Sequence, residues 1–318
     1  MHQCRICGEE YADGVECDLC ANDPSITSVY YPQPEITGFE EFERAYEAYI
    51  EKERLPDICR PAISAANLFK RPKLSVITYV PGFVYAGAIN LIAGEPKAGK
   101  STLILHLTNA ISLGKKFLDK DTVKANVLYV TEQNEVSFRE EASKAPGLME
   151  NENFYILMPE ENPFGSWEAN LDFWGQKLVD THSSVLVIDT FGSYSHLQAG
   201  GENDASVVAE KLMSLKKLFR HRPNLGIILA HHVRKPSVDP RYGEKEFVNL
   251  RDARGSTALA GGTDHCIMLS KSLNAKNARN LHIEGRFEKE RELVVELSNG
   301  IYSEVEPPSF QRASIRRW

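Results

Sequence analysis

The residues best equipped for chemistry run in one stretch: Gly94, Glu95, Pro96, Lys97, Ala98, Gly99, Lys100, Ser101 and Thr102. They satisfy G-x-x-x-x-G-K-[ST] at every fixed position. Ile89, Leu91, Ile92 and Ala93 form a short apolar run before the pattern, and Leu103, Ile104, Leu107, Ala110 and Ile111 recur at helical spacing after it. A strand, a glycine loop and a helix N-terminus aim backbone N–H groups and the positive end of the helix dipole at one point, which is how a polyphosphate is held. Gly94 and Gly99 are expected to let the loop curl around the anion. Lys100 would meet the β- and γ-phosphates of a nucleoside triphosphate, and the Ser101 hydroxyl would ligate Mg2+.

Two carboxylates and two imidazoles follow at strand ends. Ala125 to Val130 reads as a buried strand leading into Glu132, a candidate for polarising an attacking water. Ser184 to Thr190 is a second apolar strand that ends in Asp189, where a carboxylate would hold Mg2+. Leu225 to Ala230 ends in His231 and His232, a pair suited to sensing a γ-phosphate at the same edge. In open α/β sheets the ligand crevice lies outside the carboxyl ends of the strands, so these groups are expected to share one rim.

A separate constellation opens the chain: Cys4-x2-Cys7-x9-Cys17-x2-Cys20. Paired C-x-x-C knuckles can place four thiolates on one tetrahedral Zn2+, and so small a unit would take its folding energy from the metal. Disulfides and free thiols are the other readings. Cys59 and Cys266 are isolated and read as buried structural cysteines.

The elements that must position these groups set the fold class. Strands alternating with helices predict an α/β protein with a mainly parallel central sheet, with a small N-terminal Cys4 module. The expected domains are a knuckle at 1–24, a linker with an amphipathic helix at 25–73, an ATPase-type domain at 74–306 and a basic tail at 307–318. Pro24, Pro32 and Pro34 mark the linker, and Phe42, Tyr46 and Tyr49 share one face of a helix over Phe39 to Leu55. Phe191 to Ala205 reads as a polar, mobile segment, followed by a helix near Ala205 to Arg220. Arg234 to Arg254 reads as a long loop, Asp264 to Ser270 as a strand, and Asn280 to Val305 as strands with turns.

Composition narrows the classes. The 318 residues carry a formal charge of −7, with 42% hydrophobic and 25% charged residues, an ordinary globular balance. That charge disfavours a generally sticky nucleic-acid binder without excluding a local basic surface. The apolar stretch from Ser75 to Gly94 is broken by Pro81, Gly82 and Gly87 and reads as strand and turn, not a membrane span. A cytoplasmic location with no membrane partner is the expectation.

With these residues in place, the chain resembles RecA-fold ATPases, in particular the RepA-type replicative helicases. The resemblance is carried by GEPKAGKST, the strand-ending Glu132, VLVIDT, GGENDA (Gly200 to Ala205), HHVRK (His231 to Lys235) and RGSTALAGGTD (Arg254 to Asp264). It implies that Lys100, Glu132 and Asp189 are catalytic, that His231 and His232 report the γ-phosphate, and that Arg254 enters a neighbouring subunit's site. Arg286 and Lys289 are further implied trans cations. A trans arginine completes hydrolysis only at a subunit junction, so a ring, expected as a hexamer, is implied. The N-terminal cysteines resemble the zinc element of RadA-type ATPases, of whose late motif only Arg286-Phe287 is kept. The implied function is an ATP-driven motor on single-stranded or branched DNA, with replication proteins docking on the knuckle or N-terminal helix. Loops 191–204 and 234–254 would touch the DNA, with Tyr194, His196, Tyr242 and Phe247 as stacking candidates. The rivals are a RadA-like recombination ATPase and a nucleotide-gated recruitment protein that hydrolyses slowly.

Overall fold

Near-continuous apolar runs such as Ala88–Gly94 and Ser183–Asp189 belong to strands covered on both faces, and both are buried at every position. The computed structural model describes residues 2–3, 10–11, 64–70, 77–162, 166–195, 205–220, 222–233, 257–272, 275 and 277–306. By internal contacts the chain divides into two units, Met1–Leu74 and Ser75–Trp318. In the first, β1 (His2–Gln3) pairs antiparallel with β2 (Glu10–Tyr11), and α1 spans Ala65–Lys70. Cys4, Cys7, Cys17 and Cys20, Cys59 and the expected helix over Phe39 to Leu55 lie outside the described residues, as does the basic tail.

The second unit is built on one nine-stranded sheet. A small ribbon of β3 (Thr78–Val80) and β4 (Val84–Tyr85) precedes β5 (Ala88–Gly94) and α2 (Lys100–Leu113). Next come β6 (Asn126–Thr131), α3 (Glu135–Ala142), β7 (Phe154–Leu157), α4 (Trp167–Asp180) and β8 (Ser183–Asp189). Then follow α5 (Phe191–Tyr194), α6 (Ala205–Leu215), β9 (Gly226–His232), α7 (Thr257–Gly262) and β10 (His265–Lys271). Three final strands, β11 (Ala278–Gly285), β12 (Arg291–Ser298) and β13 (Ile301–Val305), complete the sheet.

The strand order is β13-β12-β11-β10-β5-β9-β8-β6-β7. From β10 to β7 every neighbouring pair is parallel, because helical crossovers join those strands. The last three pair antiparallel through short turns. Asn299 (φ 52°) and Gly300 (φ 74°) make the β12–β13 turn, a pair of residue types that tolerate positive φ at both positions. The parallel α/β architecture expected from the alternating pattern is therefore present, with an antiparallel wing on one side.

One face of the sheet carries a core of Leu91, Val130, Ile188 and Leu229 against Trp167, Trp174, Phe191 and Leu212 from α4, α5 and α6. Both tryptophans are fully buried yet satisfied: Trp167 Nε1 donates to Ser214 Oγ at 2.6 Å, and Trp174 Nε1 to Asn162 Oδ1 at 2.8 Å. The helix α2 packs against β5 and β6. Two expectations change. The segment after Asp189 is not loop throughout, because Phe191 and Tyr194 turn into the core on α5. The helix that begins at Ala205 is α-helical only to Leu215 and tightens into a 3-10 turn over Lys216–Arg220. Cys266 is buried and unbridged, and burial pushes its thiol pKa upward.

Candidate nucleotide site

The cradle begins where β5 meets its neighbours. Gly94 continues the strand, and a Cβ there would stand 2.3 Å from the Leu269 carbonyl oxygen of β10, so glycine is required by close approach of two strands. The curling falls instead to Lys97 (φ 60°) and to Gly99 (φ 99°), which caps α2 at its first turn. Ala98 N–H closes the loop on the Glu95 carbonyl at 3.2 Å. Lys100 follows, with 4% of its surface exposed, and its ammonium donates to the carbonyls of Gly94 at 3.0 Å and Glu95 at 2.8 Å. It also lies 2.9 Å from His232 Nδ1. Burial lowers its pKa to about 8, against the upward pull of Asp189 and Glu95. The Gly94 carbonyl is shared, because Val233 N–H donates to it at 3.1 Å.

Strand register brings the other groups to this rim. On adjacent strands Gly94 pairs with His232, Ala230 with Asp189, and Asp189 with Thr131. Asp189 is 2% exposed and accepts the Tyr129 hydroxyl at 2.7 Å and a hydrogen bond from Ser101. Burial raises its pKa, with those two donors opposing. Glu132 N–H donates to the Asp189 carbonyl at 2.9 Å, and the Thr190 hydroxyl donates to Glu132 Oε2 at 3.2 Å. Glu132 opens to solvent at the rim, yet desolvation and, more weakly, Asp189 lift its carboxyl pKa while the Thr190 bond lowers it. His231 is buried beside the Phe191 ring, its Nδ1 without a hydrogen-bond partner, and burial drops its pKa to about 4. His232 is exposed, and desolvation with the Lys100 charge keeps its pKa below the ordinary value.

Ser101 and Asp189 fit Mg2+. One hydroxyl and one carboxylate, already in contact, suit a hard cation that takes its remaining ligands from phosphate and water. No group of three or more His, Cys, Asp or Glu among the described residues is arranged to hold a metal by itself.

Not every expected residue joins the rim. Because β11 runs antiparallel to β10, Arg279 lies opposite Lys271 near the cradle while Gly285 lies opposite His265 at the far edge. Arg286 is therefore at the end of the sheet away from its own Lys100, 61% exposed and paired with Asp264 at 3.2 Å. It is no part of its own chain's cradle. Lys289 is exposed near it. Tyr194 is 4% exposed and its hydroxyl donates to the Thr131 carbonyl, so it offers no open stacking face for a base. Arg254, His196, Tyr242, Phe247 and most of the 191–204 and 234–254 segments lie outside the described residues.

Residues unnoticed in the sequence also shape the site. Arg279 Nε donates to the Ala98 carbonyl at 2.6 Å and so braces the phosphate loop from β11. Tyr129 orients Asp189 from the neighbouring strand. Glu141 of α3 accepts the Thr102 hydroxyl at 2.7 Å and the Gln133 amide at 3.0 Å. Strand alternation could have flagged Tyr129; nothing local marks Arg279 or Glu141, whose importance arises from contacts distant in sequence. No helix among the described residues is long and apolar enough to cross a membrane.

The family model described as an AAA domain matches residues 54–238, more than half of the chain. A search of curated proteins found no match.

Proposed function

The chain belongs to the AAA domain family of P-loop ATPases, and on that premise we propose that it hydrolyses Mg-ATP to drive work on DNA, as a RepA-like replicative helicase or related replication ATPase. The observation that carries the hydrolytic part is the meeting of Lys100, the Ser101–Asp189 pair, Glu132 and His232 at the carboxyl edge of four adjacent strands. Lys100 binds the β- and γ-phosphates, and Ser101 with Asp189 holds Mg2+. Bound Mg2+ neutralises phosphate charge and orients the triphosphate. Glu132, steadied by Thr190, accepts a proton from the attacking water. Its raised pKa suits that task better than an ordinary solvated carboxylate would. On this reading His231 and His232 register the γ-phosphate, supported by His232 lying within contact distance of the lysine.

The DNA-directed part rests on the resemblance of HHVRK and RGSTALAGGTD to the RepA-type group. On this reading Arg254 completes the site of a neighbouring subunit, with Arg286 and Lys289 as further trans cations, and the working form is a ring, a hexamer by resemblance. The exposure of Arg286 at the edge away from its own cradle is compatible with a role in trans. Cys4, Cys7, Cys17 and Cys20 hold Zn2+ in a knuckle that, with the N-terminal helix, receives replication proteins. The same cysteine spacing favours the second reading, a RadA-like ATPase acting on branched DNA.

The deciding experiment measures ATPase rate with and without single-stranded DNA, together with mass in solution with ATP. The expected result is DNA-stimulated turnover by an ATP-assembled ring that displaces a strand. Branch migration without displacement favours the RadA-like reading. Turnover that ignores DNA, in a monomer, refutes the motor and leaves the recruitment protein.

A further inference from the structure

The α3 helix sits between the phosphate loop and the strand end that carries Glu132. Its start is fixed by Asn134, whose side chain accepts Ser137 N–H at 2.9 Å. Its middle is fixed by buried Phe138, whose ring lies 5.6 Å from that of Tyr129, the residue that holds Asp189. Its last turn presents Glu141. One oxygen of that carboxylate takes the hydroxyl of Thr102, the neighbour of Ser101, at 2.7 Å. The other takes the side-chain amide of Gln133, the neighbour of Glu132, at 3.0 Å. Gln133 is tied in turn through its own N–H to Thr131 Oγ1 at 3.1 Å.

A carboxylate is a rigid planar group with two acceptor oxygens. Holding one donor on each oxygen fixes the spacing between the helix that carries the Mg2+-binding hydroxyl and the turn that carries the water-polarising carboxylate. We infer that Glu141 is a positioning residue, a bridge that sets the distance between the phosphate cradle and Glu132. The inference rests on the hydrolase reading. Glu141 acts through Thr102 and Gln133, whose side chains it holds. Reactions of this kind depend steeply on geometry, a misplacement of about 1 Å costing on the order of a hundredfold in rate.

The test compares Glu141→Ala, Glu141→Gln and Thr102→Val in the full chain. Steady-state kinetics with Mg-ATP are read beside affinity for a fluorescent nucleotide measured without turnover, and beside the melting temperature. Glu141→Ala and Thr102→Val should each lower kcat by about tenfold to a hundredfold while KM and nucleotide affinity stay within about twofold. The double variant should be no slower than either single one, because both break the same link. Glu141→Gln should recover most of kcat, since its amide oxygen still accepts from Thr102 and its amide nitrogen can donate to a turned Gln133. Unchanged kcat in Glu141→Ala and Thr102→Val overturns the inference. So does a Glu141→Gln variant as slow as alanine, or a loss confined to nucleotide affinity. Should Glu141→Ala fail to fold, Thr102→Val and Gln133→Leu decide by the same criteria. An unaltered protein without ATP turnover sinks this inference and the hydrolase reading together, whereas turnover indifferent to Glu141 sinks this inference alone.

Discussion

Titration of Lys100 should make nucleotide binding fall as pH rises through about 8. Its ammonium is buried, held by two carbonyls and His232, and its pKa is lowered from 10.5 to about 8. Desolvation is the leading cause, and the nearby Asp189 and Glu95 charges oppose it without cancelling it. The two imidazoles stay out of this window, since both are shifted below their ordinary value. A triphosphate favours the charged lysine and restores a high pKa on binding. Below about pH 8 the lysine is already charged, so binding takes up no proton; above it, each binding event must take up about one. About one unit above the pKa, roughly nine-tenths of the free protein carries a neutral amine, so affinity at about pH 9 should be about tenfold weaker than at about pH 7, or about 1.4 kcal/mol. Stability of the free protein should move the other way. The unfolded lysine binds its proton more tightly than the folded one, so the cost of burying the charge is full below about pH 8 and is relieved as pH climbs toward the ordinary lysine value. Titration calorimetry of a non-hydrolysable Mg-triphosphate, in two buffers of different ionisation enthalpy, reads both affinity and proton uptake. Lys100→Arg, whose guanidinium stays charged throughout, should abolish the uptake. Affinity that is flat from about pH 7 to about pH 9, with no proton uptake at the upper end, would refute this account of the cradle.

Two other outcomes follow from the same geometry, and a third from the resemblance that assigns Arg254. Glu132→Gln should keep nucleotide affinity within about twofold and lower kcat by about a hundredfold or more, the contribution expected of a lost general base; single-turnover kinetics beside binding check it. Gly94→Ala should lower the melting temperature or prevent folding, because its Cβ would meet the Leu269 carbonyl at 2.3 Å and backbone must shift to admit it; an alanine variant that melts like the parent refutes the packing argument. Arg254→Ala should abolish turnover with nucleotide binding preserved, and mixing it with Lys100→Ala should restore turnover at mixed junctions if the arginine acts in trans.

Much of the site was legible because its signals are local. The glycine–lysine–serine pattern, the strand ending in Asp189 and the histidines ending β9 each lie within a few residues of the element that presents them. Their meeting needed only the rule that parallel strands end together, and the observed register places them so. Other parts had no such signal. In α3 only Phe138 and Ala142 are buried, too few to print a helical period on its charged sequence. By contrast α4 does show one, with Trp167, Leu171, Trp174 and Leu178 buried along one face. The composition of the segment after Asp189 suggested exposure, yet Phe191 and Tyr194 are spaced to share one face of a helical turn and bury there. Arg279 and Arg286 differ by a single strand length and lie at opposite edges, a fact fixed by the antiparallel turn of the chain and not by either residue's neighbours.

The Gly94 carbonyl serves two donors, the Lys100 ammonium and the Val233 N–H that begins the exit from β9 toward residues 234–254. One oxygen atom thus joins the Lys100 ammonium to the end of β9. Were the lysine drawn toward a bound phosphate, that carbonyl would be left to the Val233 bond alone. Two donors that share one acceptor influence each other equally in both directions, so a change in the hold on Lys100 would reach the end of β9 through a single atom.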